Sequence, residues 1–180
     1  MENLDRAAVI LTLAKELRDH GSWCGSTHLQ KTTYFLQELT GAQLDFEFIL
    51  YKHGPFSFDL RDNITGLVAY NLLRMQPNEP PYGASLELTS RGERVMSGHA
   101  ELANQYQREI AFVAQHLANK KVTDLEKLGT ALFVTHRQPG LDRNAQAHQI
   151  HSLKPHVSLE EAHAALEELH TMEQEWQRSL

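Results

Sequence analysis

Leu29-Gln30-Lys31-Thr32-Thr33-Tyr34-Phe35-Leu36-Gln37, then Phe46-Glu47-Phe48-Ile49-Leu50-Tyr51, then His53-Gly54-Pro55-Phe56-Ser57, then Leu86-Glu87-Leu88-Thr89-Ser90-Arg91-Gly92, form one continuous pattern. The first block places Leu29, Thr33, Leu36 and, beyond it, Leu39 at helical spacing, and Gly41 ends the helix. The second alternates Phe46, Phe48 and Leu50 with Glu47 and Ile49, which predicts a short strand over 46–51. Pro55 cannot continue that strand's donor pattern, and Ser57 is placed to cap a helix with Asp59 in its first turn. The buried side of that third helix is expected at Leu60, Ile64, Leu67 and Val68. Strands over 72–75 and 86–88 follow, joined by a connection at 76–83 that holds three prolines and a glycine and reads as an exposed wing.

Upstream, Ala7, Ile10, Leu11, Ala14 and Leu17 predict a first helix over 4–19 that stops at Gly21. The order helix, helix, strand, helix, hairpin is that of a winged-helix-like core. Downstream, Ser90 with Glu93 forms a capping-box pattern that opens a long helix through Val95, Leu102, Tyr106, Val113 and Leu117, with a kink expected near Gly98. Thr123 with Glu126 and Ser158 with Glu161 open two more helices by the same signature, and a shorter helix is expected over 142–153. The expected fold is mainly α with a small β hairpin. It is a single domain over 1–180, made of a core over 4–95 and a helical extension over 96–180 packed on it.

Composition narrows the function classes. The 180 residues are 41% hydrophobic and 22% charged, as in an ordinary globular chain. The formal charge of −6 is spread evenly: residues 1–100 carry 9 Lys and Arg against 12 Asp and Glu, and residues 101–180 carry 8 against 11. With no basic half or tail, general nucleic-acid binding is disfavoured, and a partner drawn by this charge would be basic. The single cysteine, Cys24, excludes an internal disulfide and fits a reducing compartment. The polar start Met1-Glu2-Asn3-Leu4-Asp5-Arg6 does not read as a signal peptide, and the apolar run Ala7 to Leu11 is too short to cross a bilayer. A cytoplasmic protein is expected.

Chemistry-bearing residues are present, but none forms a recognisable catalytic signature. Among eleven histidines, His148 and His151 share a helical face with His156 nearby, yet no cysteine or carboxylate completes an obvious zinc set, so no metal is expected. Cys24 and His28 lie at a helix start, where a thiolate can be stabilised. The plainer reading is a small buried thiol, because an oriented base and an oxyanion site are not indicated. No nucleophile elbow, phosphate loop or dinucleotide fingerprint occurs, so neither an enzyme nor a cofactor is expected. In the last helix Leu159, Ala162, Leu166, Leu169, Glu173 and Trp176 step by threes and fours. That seam either packs on its own core or forms an oligomer interface through Leu166, Leu169 and Trp176, giving a homodimer. The outward face of the third helix, Asp59, Arg61, Asp62, Asn63 and Thr65, sets one base against two acids and would oppose docking on phosphate.

The helix from Leu29 to Gln37, the turn Tyr51-Lys52-His53-Gly54-Pro55-Phe56-Ser57 and the exit Leu88-Thr89-Ser90-Arg91-Gly92 resemble the YwgA-like group and the related Panacea, or SocA-like, antitoxin domains. The toxin-binding C-terminal domain of DarG antitoxins looks like a more distant relative. The segments Leu128-Gly129-Thr130-Ala131-Leu132-Phe133-Val134 and Leu153-Lys154-Pro155-His156-Val157-Ser158-Leu159-Glu160-Glu161-Ala162 are similar to the second half of YwgA-like proteins, so the resemblance spans roughly residues 5–170. It implies a winged-helix-like core with added helices, no catalytic centre, and action through protein contacts, as in toxin neutralisation or phage defence. The chain departs from the group's commoner Tyr-Gly-Pro by carrying His53, and it lacks DarG's macrodomain, which removes any expectation of ADP-ribose chemistry.

The function expected from the sequence is therefore a non-catalytic, antitoxin-like module that binds and masks a nucleic-acid-handling protein, with His53, Phe56, Phe58, Arg61 and Asp62 as the partner-binding surface. The rival is a dimeric winged-helix DNA-binding regulator, which requires Lys31, Lys52, Arg61 and Arg74 to converge into a basic stripe.

Overall fold

The chain is described by a computed structural model over residues 3–79 and 83–180. The described residues are mainly helical, with two small antiparallel sheets of two strands each. Part of the expected wing, Pro80, Pro81 and Tyr82, lies outside them, as does the side chain of Leu102. The elements group into two compact units, one of Met1–Phe48 with Ser57–Lys120, the other of Ile49–Phe56 with Lys121–Leu180. These divisions differ from the expected core over 4–95 and extension over 96–180.

In the first unit, α1 (Asn3–Asp19) is charged at both ends and apolar nearly all round in its middle, where every residue from Ala7 to Leu11 is buried. A helix apolar on all sides belongs inside a core. Accordingly α1 packs against α2 (Ser26–Glu38), α4 (Ser90–Gly98), α5 (Ala100–Gln105) and α6 (Gln107–Leu117). The last three are what the expected long helix becomes. It breaks at His99, next to Gly98, and again at Tyr106, and its segments turn back on α1. The N-cap is Thr89 rather than Ser90, its hydroxyl accepting from Gly92 N at 3.0 Å. Gly92 is required there, because a Cβ would lie 2.2 Å from the Leu72 carbonyl oxygen.

The expected strand over 46–51 shortens to β1 (Ile49–Tyr51), which belongs to the second unit. Residues 42–48 still bury every second side chain, Ala42, Leu44, Phe46 and Phe48, without any strand ladder. Asp45 interrupts the run at φ +58°. The missing backbone partner is supplied by a side chain: the Gln37 amide accepts from Phe46 N and donates to Phe46 O, both at 2.9 Å. One heptad earlier, Gln30 makes the same pair of bonds with Ser57, at 3.1 and 2.9 Å. Two glutamines on α2 thus hold the chain on either side of the segment 49–56. Ser57 also caps α3 (Phe58–Ala69), accepting from Leu60 N at 3.2 Å, and Leu60, Ile64 and Leu67 are buried while Val68 is only half-buried. β3 (Leu73–Gln76) and β4 (Ser85–Leu88) pair with Leu73 opposite Leu88, and Gly25 bridges to Ser85 on the other edge of β4.

In the second unit, β1 pairs with β2 (Gly54–Phe56), and Gly54 turns the chain at φ +86° against the backbone of Glu126. Three helices complete it: α7 (Val122–Arg137), α8 (Arg143–Leu153, capped by Asp142) and α9 (Leu159–Ser179). The Ser158–Glu161 capping box forms in full. The Thr123–Glu126 box does not: α7 starts at Val122, so its N-cap is Lys121, two residues before Thr123, and Lys121 offers no side-chain hydrogen bond. α9 packs on α7 and α8. Leu166, Leu169 and Trp176, expected as an oligomer seam, are 4%, 1% and 3% exposed and fill this unit's own interior.

Candidate functional site

Glu126 is the residue around which the second unit's polar groups converge. The second turn of α7 carries it inward, and its side chain is only 8% exposed. Lys154, at the C-cap of α8 and equally buried, brings its ammonium 3.3 Å from Oε1 while donating to the Tyr51 and Lys52 carbonyls at 2.7 and 2.6 Å. His156 Nε2 stands 3.3 Å from Oε1, and His53 Nδ1 stands 3.8 Å from Oε2. Neither oxygen receives an aligned hydrogen bond from the described residues, and Oε1 is shut off from solvent in that state. A buried carboxylate in such a setting is held by charge alone, which is costly unless donors are supplied.

A groove of about 540 Å³ opens beside this carboxylate, lined by Lys52, His53, Thr123, Lys127 and His156. That volume lies within the range of small-ligand sites. Asp124 and Glu161 pair with Lys127, and the hydrogen bond that Lys127 donates to Asp124 raises its pKa above the usual lysine value. The backbone of Ser158 donates to Glu161 and lowers that carboxyl below its usual range. Lys52 carries no ion pair among the described residues.

The five residues expected to form a partner surface fall into different units. His53, exposed on the hairpin turn, and Phe56, half-buried beside the Tyr51 ring at 5.7 Å, belong to the second. Phe58, Arg61 and Asp62 belong to the first. There Phe58 is 44% exposed at the start of α3, the Arg61 guanidinium lies 5.1 Å from its ring centroid, and Asp62 Oδ1 sits 2.7 Å from Arg61 Nη2. This is a compact aromatic and ionic face in which the only arginine is already matched by an acid.

The basic stripe needed for duplex binding does not assemble in the first unit. Lys31 is 1% exposed, Arg61 is paired with Asp62, and Arg74 donates to Glu87 at 2.9 Å. Lys52 belongs to the other unit. Cys24 is fully buried and its thiol is pushed up to about 12 by burial, so it is a packed thiol rather than a nucleophile. His28 is also internal: Nε2 donates to the Leu117 carbonyl at 3.0 Å, leaving Nδ1 to accept from Ser22 Oγ at 3.2 Å, and burial lowers its pKa. Of the helical pair His148 and His151, His151 Nδ1 donates to the Val157 carbonyl at 2.7 Å. Among the described residues no group of three or more His, Cys, Asp or Glu is arranged to hold a metal ion, and no helix is long and apolar enough to cross a membrane.

Sequence reasoning missed the Glu126–Lys154 pair. Glu126 reads as a capping-box partner, and no spacing rule links it to a lysine 28 positions on or to a turn 73 positions before it. No family model matches the chain, and no curated protein matches it either.

Proposed function

We propose that this protein is a non-catalytic binding module with a winged-helix-like first unit, which acts by covering a basic surface of a nucleic-acid-handling protein, in the manner of an antitoxin or a phage-defence accessory. The observation that carries this reading is the face of α3. In a winged helix that face meets the nucleic acid, and here it presents exposed Asp59 and Asp62, an arginine already paired, and the exposed ring of Phe58. Phosphate would be repelled by such a surface, whereas a cationic protein surface would be steered toward it. Aromatic side chains with adjacent charge are also the residue types that carry interface energy. The resemblance to antitoxin domains in residues 29–37, 51–57 and 88–92 points the same way. A cytoplasmic setting and the absence of bound cofactor belong to this reading.

The test is a pull-down of the tagged protein from its native host after nuclease treatment, at two salt concentrations, with the wild type beside Phe58→Ala and Asp62→Lys. One stoichiometric protein that survives nuclease, weakens at high salt and is lost from both variants is the expected result. Recovery of DNA alone, abolished by nuclease, would instead favour the dimeric regulator.

A further inference from the structure

We propose that the groove beside Glu126 is a binding site for a small amino-carboxylate, the ammonium group being received by Glu126 and the carboxylate by Lys52 and the open first turn of α7. The site goes beyond the protein-binding role and lies wholly in the second unit.

Three observations converge on it. A carboxylate more than nine-tenths buried has nitrogen atoms at 3.3, 3.3 and 3.8 Å, yet no aligned donor from the described residues. Buried polar groups without hydrogen bonds are rare, and a bound group with several N–H donors is what such a carboxylate lacks. A primary ammonium supplies three, and the ring nitrogens of His53 and His156, when neutral, add acceptors on either side. Both imidazoles are mostly exposed, at 66% and 61%, so they can turn aside and open Oε1 to a ligand.

Opposite charge stands at the rim. Lys52 has no ion pair among the described residues, and α7, sixteen residues long, begins without a side-chain cap. Asp124 N and Leu125 N already donate to the Lys121 carbonyl at 3.0 Å, so the anion is received by the first two N–H groups of the helix start. Thr123, placed in that first turn and exposed, adds a hydroxyl that no cap consumes. Glu161 and Asp124 already neutralise Lys127, so a purely anionic ligand meets one unmatched lysine, while any ammonium shares Glu126 with Lys154 and, without a carboxylate of its own, leaves Lys52 unmatched. A molecule carrying both charges fits this distribution better than either.

The probes are L-alanine, N-acetyl-L-alanine, L-alaninamide and trialanine, titrated into the full chain and followed by amide chemical-shift changes. L-alanine is expected to move the amides of Thr123, Glu126, Lys127 and His156 with a Kd on the order of 1 mM, a reasonable limit for so few atoms. Blocking either charge should weaken binding by at least about tenfold. Glu126→Gln should abolish the response, and Lys52→Gln, an exposed change that leaves the interior intact, should weaken it by a similar factor. Trialanine binding as well as alanine would identify a peptide terminus as the source, and failure of trialanine would identify the free amino acid. No response to L-alanine, equal binding of N-acetyl-L-alanine, or an unchanged response in Lys52→Gln would overturn the proposal. None of these outcomes depends on Phe58 or Asp62, so the site and the protein-binding role stand or fall separately.

Discussion

At the scale of single residues, the buried ionic pair has the largest energetic reach. Removing one partner of a buried pair leaves the other charge uncompensated, and that is costlier than removing both. Glu126→Ala should therefore lower unfolding free energy by about 3 kcal/mol, read from urea denaturation, whereas Glu126→Ala combined with Lys154→Met should recover most of the loss. His28 makes a pH prediction whose sign follows from its surroundings. Burial depresses its folded pKa below the ordinary 6.5, so the unfolded chain binds a proton more readily. The stability it contributes is full above that ordinary value and is lost as pH falls through the folded value. Urea midpoints should drop as pH falls below the ordinary imidazole value, and His28→Asn should flatten that drop. An equal drop in the variant would place the effect elsewhere.

Individual elements show how far local signals carry. Three capping boxes look alike in sequence, but only Ser158–Glu161 forms, because the helix starts one residue early at Ser90 and two residues early at Val122. Ser158→Ala should cost about 1 kcal/mol. Thr123→Ala should stay within about 0.5 kcal/mol, as expected of an exposed position outside any cap. Thermal melts of the two variants side by side make the comparison. The helix positions, the α3 cap, the kink near Gly98 and the β3–β4 pairing were legible, since each depends on residues within a few positions of one another. What α2 does was not legible. Nine consecutive buried residues from His28 to Leu36 look amphipathic by periodicity, and only the distant backbone of Phe46 and Ser57 explains why Gln37 and Gln30 are there. Likewise the alternation at 42–48 is a true burial signal, but it cannot reveal whether a neighbouring strand or a glutamine side chain satisfies the backbone.

For the whole molecule, the aromatic anchor of the last helix belongs to the interior. Trp176→Ala should lower unfolding free energy by about 3–5 kcal/mol, and the shift should be the same at low and high protein concentration. A concentration-dependent shift would return Trp176 to an intersubunit seam. The candidate site was the least legible part, because its residues come from the β1–β2 turn, α7 and the approach to α9, and only the folded chain brings them to one carboxylate. The hairpin 49–56 completes a unit whose helices start at residue 122, and Lys154 reaches back 103 residues to the Tyr51 carbonyl. Contacts so far apart in sequence are slow to form. On the ribosome, then, the hairpin emerges long before the three helices that complete its unit. It must wait, unpaired with them, until the last third of the chain has been synthesised, and for that interval it is the stretch for which a chaperone or a protease would compete.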